Sequence, residues 1–274
     1  MSKRYELNGK LALVTGAGSG IGRATSLALA RRGCGVLALD IDLASAEKTA
    51  FGCQEYGSHV AEAHRLDVAD AIATGELSDE LTNAHGPLDV LMANAGVGMT
   101  GRFLDVSASD WDWIRSINLD GVWHTVQAFG RPMVRNGQGR VAITASGLAY
   151  TPRATEPAYV TTKAAVLALA ECLRADWSRD GVSVSAICPG IINTPIVDST
   201  RFVGDQDDAK TKARTRKTFD RGHGPELVAD AIIEQALVKG KLVVPVGVEA
   251  KVGWWFSRFG PRWARQVVAG VAPR

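Results

Sequence analysis

KLALVTGAGSGIGRATSLALA, residues 10 to 30, runs from an apolar stretch through a glycine-rich turn into a segment of helical period. Gly16, Gly20 and Gly22 let the chain turn tightly and bring its backbone close to an anion. The helix behind them offers unpaired N–H groups and the positive end of its dipole. An ordinary turn also uses glycine; the position between strand and helix, opening a βαβ unit, is what points to a phosphate. The same alternation continues outward through CGVLALD at 34, HVAEAHRLDV at 59, LDVLMAN at 88, GRVAITAS at 139, VSVSAICPG at 182 and KLVVPVG at 241. Amphipathic segments such as ASAEKTAFGCQEYG and PELVADAIIEQALVK lie between them. Seven strands with right-handed helical crossovers predict an α/β fold: one doubly wound, seven-stranded parallel sheet with helices on both faces.

The 274 residues suffice for one such domain and an extension, and 46% apolar with 22% charged residues suits a large core. A net charge of +2 gives no concentrated basic face, so nucleic acid is not an expected partner. MSKRYELNGK leads into no signal-peptide core, and no run approaches the roughly 18 apolar residues of a membrane span, so a cytoplasmic location is expected. Cys34, Cys53, Cys172 and Cys188 are scattered, as are His59, His64, His85, His124 and His223; neither a disulfide nor a metal site is expected.

The turn reads TGxxxGxG at Thr15, Gly16, Gly20 and Gly22. This spacing resembles the short-chain dehydrogenase/reductase family, which implies a Rossmann-type domain, here residues 1–249, and a nicotinamide cofactor on Gly16, Ser19, Gly20, Ile21 and Gly22. Asp40 ends the second strand about 20 residues on, where a carboxylate accepts hydrogen bonds from the adenosine ribose and opposes a 2′-phosphate. NAD is therefore expected over NADP. Ser19, where NADP-preferring relatives often carry a basic residue, points the same way. The alternative reading of Asp40 is a cap for the helix that follows. The resemblance further implies adenine contacts from Asp67 and the backbone of Val68. ANAG, residues 93 to 96, is similar to the family's NNAG, with Asn94, Ala95 and Gly96 matching and Ala93 departing. After the sixth strand, CPGIINT matches a PGxxxT segment, implying that Ile192 and Thr194 orient the nicotinamide carboxamide.

PAYVTTKAAV, residues 157 to 166, sets Tyr159 and Lys163 four apart, on one helical face. Moving a hydride between an alcohol and a nicotinamide requires the hydroxyl proton to move as well, and a cation near a phenol favours the ionised form that takes it. Ser146 ends the fifth strand, where it can hold the substrate oxygen, and the Asn118 amide can fix a proton-relaying water. Each has a plain reading, since YxxxK arises by chance, a strand can end in serine and an asparagine can pack a helix. Together, Asn118, Ser146, Tyr159 and Lys163 resemble the family's catalytic tetrad in order and spacing. That implies oxidation of a CH–OH group or its reversal. Rival readings are an NADP-linked carbonyl or 3-oxoacyl reductase and a non-catalytic nucleotide-binding sensor or scaffold.

Residues 195 to 224 are polar and charge-dense, in the place of a substrate lid. The extension, 250–274, carries Trp254, Trp255, Phe256, Phe259 and Trp263 among Arg258, Arg262 and Arg265. It suits packing on a neighbouring subunit, an apolar substrate entrance or a membrane surface. With Leu148, Ala149 and Tyr150 it suggests a lipophilic alcohol or ketone. The resemblance implies a homodimer or homotetramer paired through the helices that contain Asn118 and Tyr159.

Overall fold

The computed structural model describes residues 4–261. Its first half runs β1 (Leu11–Thr15), α1 (Gly20–Ala30), β2 (Gly35–Asp40), α2 (Leu43–Glu55), β3 (Ala61–Arg65), α3 (Ala71–His85) and β4 (Val90–Ala93). Then come β5 (Met99–Thr100), α4 (Ala108–Arg115), α5 (Gly121–Asn136), β6 (Gly139–Thr144), α6 (Pro157–Trp177) and β7 (Val182–Pro189). The chain continues with β8 (Arg201–Phe202), α7 (Ala209–Asp220), α8 (Pro225–Ala231), β9 (Val243–Val246) and α9 (Val248–Phe259).

All seven expected strands enter one sheet in the order β3-β2-β1-β4-β6-β7-β9, with every neighbouring pair parallel. Burial on both faces explains their continuous apolar runs: all five residues of β1 are buried. The edge strand β3, AEAHR, carries Glu62, His64 and Arg65 instead and is only partly buried, which protects an open edge. One core layer joins Leu29, Val36, Val228 and Ile232 beneath α1 and α8; the other joins Leu91, Phe129, Met133 and Val166 beneath α5 and α6. Strand order reverses between β1 and β4, which opens a crevice at their carboxyl ends.

Local chemistry sets the details that aim this crevice. Asp42 caps α2 through Ala44 N and Asp70 caps α3 through Ile72 and Ala73, while Ser107 and Asp110 form a capping box on α4. Between α4 and α5 the helix widens over Ser116–Asp120, with Gly121 N–H reaching back to Ser116 O. Such bulged turns redirect side chains without ending a helix.

The 195–224 segment is more ordered than a polar loop. β8 pairs with β5 in a second, two-stranded sheet, and α7 follows with none of its residues buried. α9 begins at Val248, so the expected 249/250 boundary falls inside a helix. α9 buries Ala250 and Gly253 against the domain. Trp263, Arg262 and Arg265 lie outside the described residues. No helix among the described residues is long and apolar enough to cross a membrane, and no cluster of metal-ligating side chains occurs among them.

Candidate active site

At the glycine turn, Gly16 and Gly20 adopt φ of +64° and +50°, which only glycine takes without strain. Gly22 is needed for contact: a Cβ there would lie 2.0 Å from Gly16 O. Thr194 closes the turn from across the crevice, its Cγ2 3.0 Å from where a Cβ on Gly20 would stand. Ser19 precedes α1 in extended backbone and its side chain does not cap the helix.

Asp40 faces the turn. Its Oδ2 accepts from Gly18 N at 2.8 Å and its Oδ1 from Asp42 N at 3.0 Å. Because Asp42 caps α2, the capping reading of Asp40 fails and its carboxylate is left at the mouth of the turn. Asp67 is exposed and accepts from Ala69 N in a tight turn, while Val68 is buried against Gly121.

Asn94 is held under the crevice and does not point into it. Its Nδ2 donates to Thr15 O at 3.0 Å, and its Oδ1 accepts from Thr144 Oγ1 at 3.1 Å. Thr15 Oγ1 in turn accepts from Asn94 N and Ala95 N. This network ties the ends of β1, β4 and β6 together, so Asn94 shapes the floor that a cofactor would rest on.

Beyond that floor the four candidate catalytic residues converge. Lys163 is 3% exposed, donates to Thr144 O at 3.0 Å and lies 6.0 Å from the centre of the Tyr159 ring. A Cβ on Gly96 would stand 3.2 Å from Lys163 Nζ and 3.1 Å from Asn118 Oδ1, so glycine keeps the space between them open. The Ser146 hydroxyl accepts from Leu148 N at 3.1 Å and stands near enough to the Tyr159 phenol to favour its ionised form.

Two expectations change in this setting. Asn118 is fully buried in the bulged turn, and both ends of its amide bind Val97: Oδ1 accepts from Val97 N at 2.8 Å and Nδ2 donates to Val97 O at 2.9 Å. A side chain so engaged splints the loop after β4. The phenol also starts from the opposite direction to the one a base needs. Burial pushes Tyr159 up to about 12, with Ser146 opposing and Glu156 adding to the rise, while burial pushes Lys163 down to about 8.

Glu249 escaped the sequence reading. Its Oε1 accepts from Ile191 N at 2.7 Å, and its Oε2 lies 3.7 Å from His223 Nε2. The loop carrying Ile192 and Thr194 is thus held from α9, 58 residues away. No local signal announces such a contact. Tyr150 is fixed likewise, its hydroxyl donating to Ala250 O at 2.9 Å and its ring edge-on to Trp254 at 5.3 Å.

Residues 10–202 match the family model described as short chain dehydrogenase. The chain belongs to the short-chain dehydrogenase family. It is 40% identical over 261 residues to the probable oxidoreductase EphD of Mycobacterium tuberculosis, covering 93% of this chain. It spans only 44% of that relative's length. It is also 36% identical over 231 residues to the 2-keto-3-deoxy-L-fuconate dehydrogenase of Xanthomonas campestris, covering 83% of this chain and 74% of the relative. Among solved structures, a short-chain dehydrogenase/reductase from Burkholderia phymatum in complex with NAD superposes with a TM-score of 0.85 at 26% identity, over 98% of both chains. An alcohol dehydrogenase from Thermococcus sibiricus complexed with 5-hydroxy-NADP gives a TM-score of 0.72 at 30% identity, over 86% of this chain and 94% of the other. The family comprises oxidoreductases that use a nicotinamide cofactor. The bare floor around Gly16, Gly22 and Gly96 and the anion-accepting turn beside Asp40 fit such a group.

Proposed function

We propose that this short-chain dehydrogenase is NAD-dependent and interconverts a secondary alcohol and a ketone, with Tyr159 as the proton donor and acceptor. The observation that carries this reading is the convergence of Tyr159, Lys163 and Ser146 at the carboxyl ends of β4 and β6, with Asp40 at the far side of the same crevice. Gly16, Ser19, Gly20, Ile21 and Gly22 would hold the pyrophosphate, Asp40 the adenosine ribose, Asp67 and Val68 the adenine, and Ile192 and Thr194 the carboxamide. Bound there, a nicotinamide would supply the hydride carrier and, when oxidised, a positive charge favouring the Tyr159 phenolate.

The chain's own groups do the rest. With the phenol protonated by burial, Tyr159 is ready to give its proton to a carbonyl; the reverse reaction begins once nearby positive charge has drawn that proton off. At about 5 Å and an effective dielectric near 20, one cation is worth about 3 kcal/mol, or roughly two pKa units. Lys163 therefore brings a phenol starting near 12 part of the way toward the working range, and a cationic cofactor ring would add to it. Ser146 donates to the substrate oxygen, and Asn118 keeps the Gly96–Val97 loop clear of it. Asp40, Leu148, Ala149, Tyr150 and the α9 aromatics favour NAD and a lipophilic substrate. Residues 195–224 serve as the lid, and α9 closes the substrate side. A cytoplasmic homodimer or homotetramer fits the small exposed residues Thr161, Ala168, Cys172 and Ala175 along α6 and the exposed Trp123 on α5; light scattering reads the assembly.

Replacing Tyr159 by Phe tests the assignment. NADH affinity, followed by fluorescence titration, should hold while alcohol oxidation falls at least about a hundredfold. Undiminished turnover refutes it.

A further inference from the structure

Helix α7, AKTKARTRKTFD, carries five cations against one acid and buries nothing. Lys212 pairs with Asp207 and Arg216 with Asp198; Lys210, Arg214 and Lys217 have no ion pair among the described residues. A charge-dense helix with no apolar face is poorly made for a membrane surface. What it does face is an open groove of about 440 Å³, lined by Val197, Asp198, Thr200, Phe202, Lys212, Ala213 and Arg216. That volume lies in the range of small-molecule sites. Lys212 and Arg216 are one turn apart and so share the side of α7 that borders it.

The groove's lining residue Thr200 packs on the segment that follows β4. Thr200 packs on Gly98, where a Cβ would stand 2.2 Å from Thr200 Oγ1, and Arg201 N donates to Gly98 O at 3.1 Å. Gly98 is two residues from Gly96, which borders Lys163 and Asn118. Val197 and Phe202 give this site an apolar part beside the two cations, which are backed by the field of the rest of α7.

We propose that this groove binds the anionic end of the substrate, a carboxylate or phosphate carried on an apolar chain whose alcohol or ketone reaches Tyr159. The inference rests on the alcohol oxidoreductase reading and names its substrate class. Anionic charge draws the ligand to α7, and Lys212 and Arg216 hold it by exchanging part of their contact with Asp207 and Asp198. A neutral alcohol of the same chain length has only the apolar wall.

Cis-parinaric acid and its methyl ester test this directly, since they differ in charge and share one fluorescent chain. The acid should bind wild-type protein about tenfold tighter than the ester in 50 mM salt, the scale expected of two partly exposed cations. That preference should collapse in 0.5 M salt and in a K212Q/R216Q variant, which touches no buried residue. The acid should also inhibit oxidation of 2-decanol competitively with the alcohol. Equal affinity for acid and ester, an unchanged preference in the variant, or inhibition not competitive with the alcohol overturns the proposal. So does binding to phosphatidylglycerol vesicles that the variant abolishes while the probe shows no charge preference. If 2-decanol is not oxidised but the charge preference appears and the variant removes it, the anion site stands and the reaction reading falls.

Discussion

Replacing Asp40 by Asn removes one negative charge at the mouth of the glycine turn and keeps the side chain's shape. In the wild type the carboxylate is aimed by two backbone donors, Gly18 N at 2.8 Å and Asp42 N at 3.0 Å. A 2′-phosphate held beside it at about 5 Å would meet a like charge worth about 3 kcal/mol at an effective dielectric near 20. The position is partly exposed, and screening over half a Debye length in 0.1 M salt leaves about 2 kcal/mol, roughly thirtyfold in affinity. Wild-type protein should therefore bind NADH at least about thirtyfold tighter than NADPH in fluorescence titration. Asp40→Asn should bring the two dissociation constants within a few-fold, chiefly by tightening NADPH. An unchanged ratio, or wild-type preference for NADPH, would show that the carboxylate does not read the ribose.

Gly22→Ala forces a Cβ into Gly16 O; it should abolish NADH binding and cost about 3 kcal/mol, read as a melting temperature lower by about 6–12 °C. Burial lowers the pKa of Lys163 in the folded chain from its usual 10.5 to about 8, so the unfolded chain binds more protons between those values and stability from this group rises with pH there. Compared with Lys163→Met, wild-type apoprotein should gain melting temperature from pH 8 to pH 10; a gap between the two that stays constant would contradict the burial of a charged amine. Glu249→Ala should raise the Michaelis constant for NAD several-fold with a smaller effect on kcat, and Glu249→Gln should recover most of it, because an amide oxygen can still accept from Ile191 N. Equal kcat losses in both variants would argue against a role in holding the loop.

Period and punctuation told most of the fold in advance. Buried parallel strands are short apolar runs, and seven of them came through the chain in a readable rhythm. Tyr159 and Lys163 were legible because a helix converts a spacing of four into a shared face. Asn118 was legible as a residue and misread as a device, since a buried amide takes whatever partners the fold brings to it, here the backbone of Val97. Asn94 turned the same way, toward Thr15 and Thr144 beneath the crevice.

Local order along the chain, then, determined the parallel sheet, the glycine turn before α1 and the pairing of phenol with amine, because each depends on residues within a few positions of one another. Only the tertiary structure decided that Glu249 grips Ile191, that Tyr150 leans on α9, and that β8 pairs with β5 and brings the basic helix α7 beside an open groove. Those contacts join segments far apart in the chain, where neither periodicity nor spacing carries information and packing alone selects the partner.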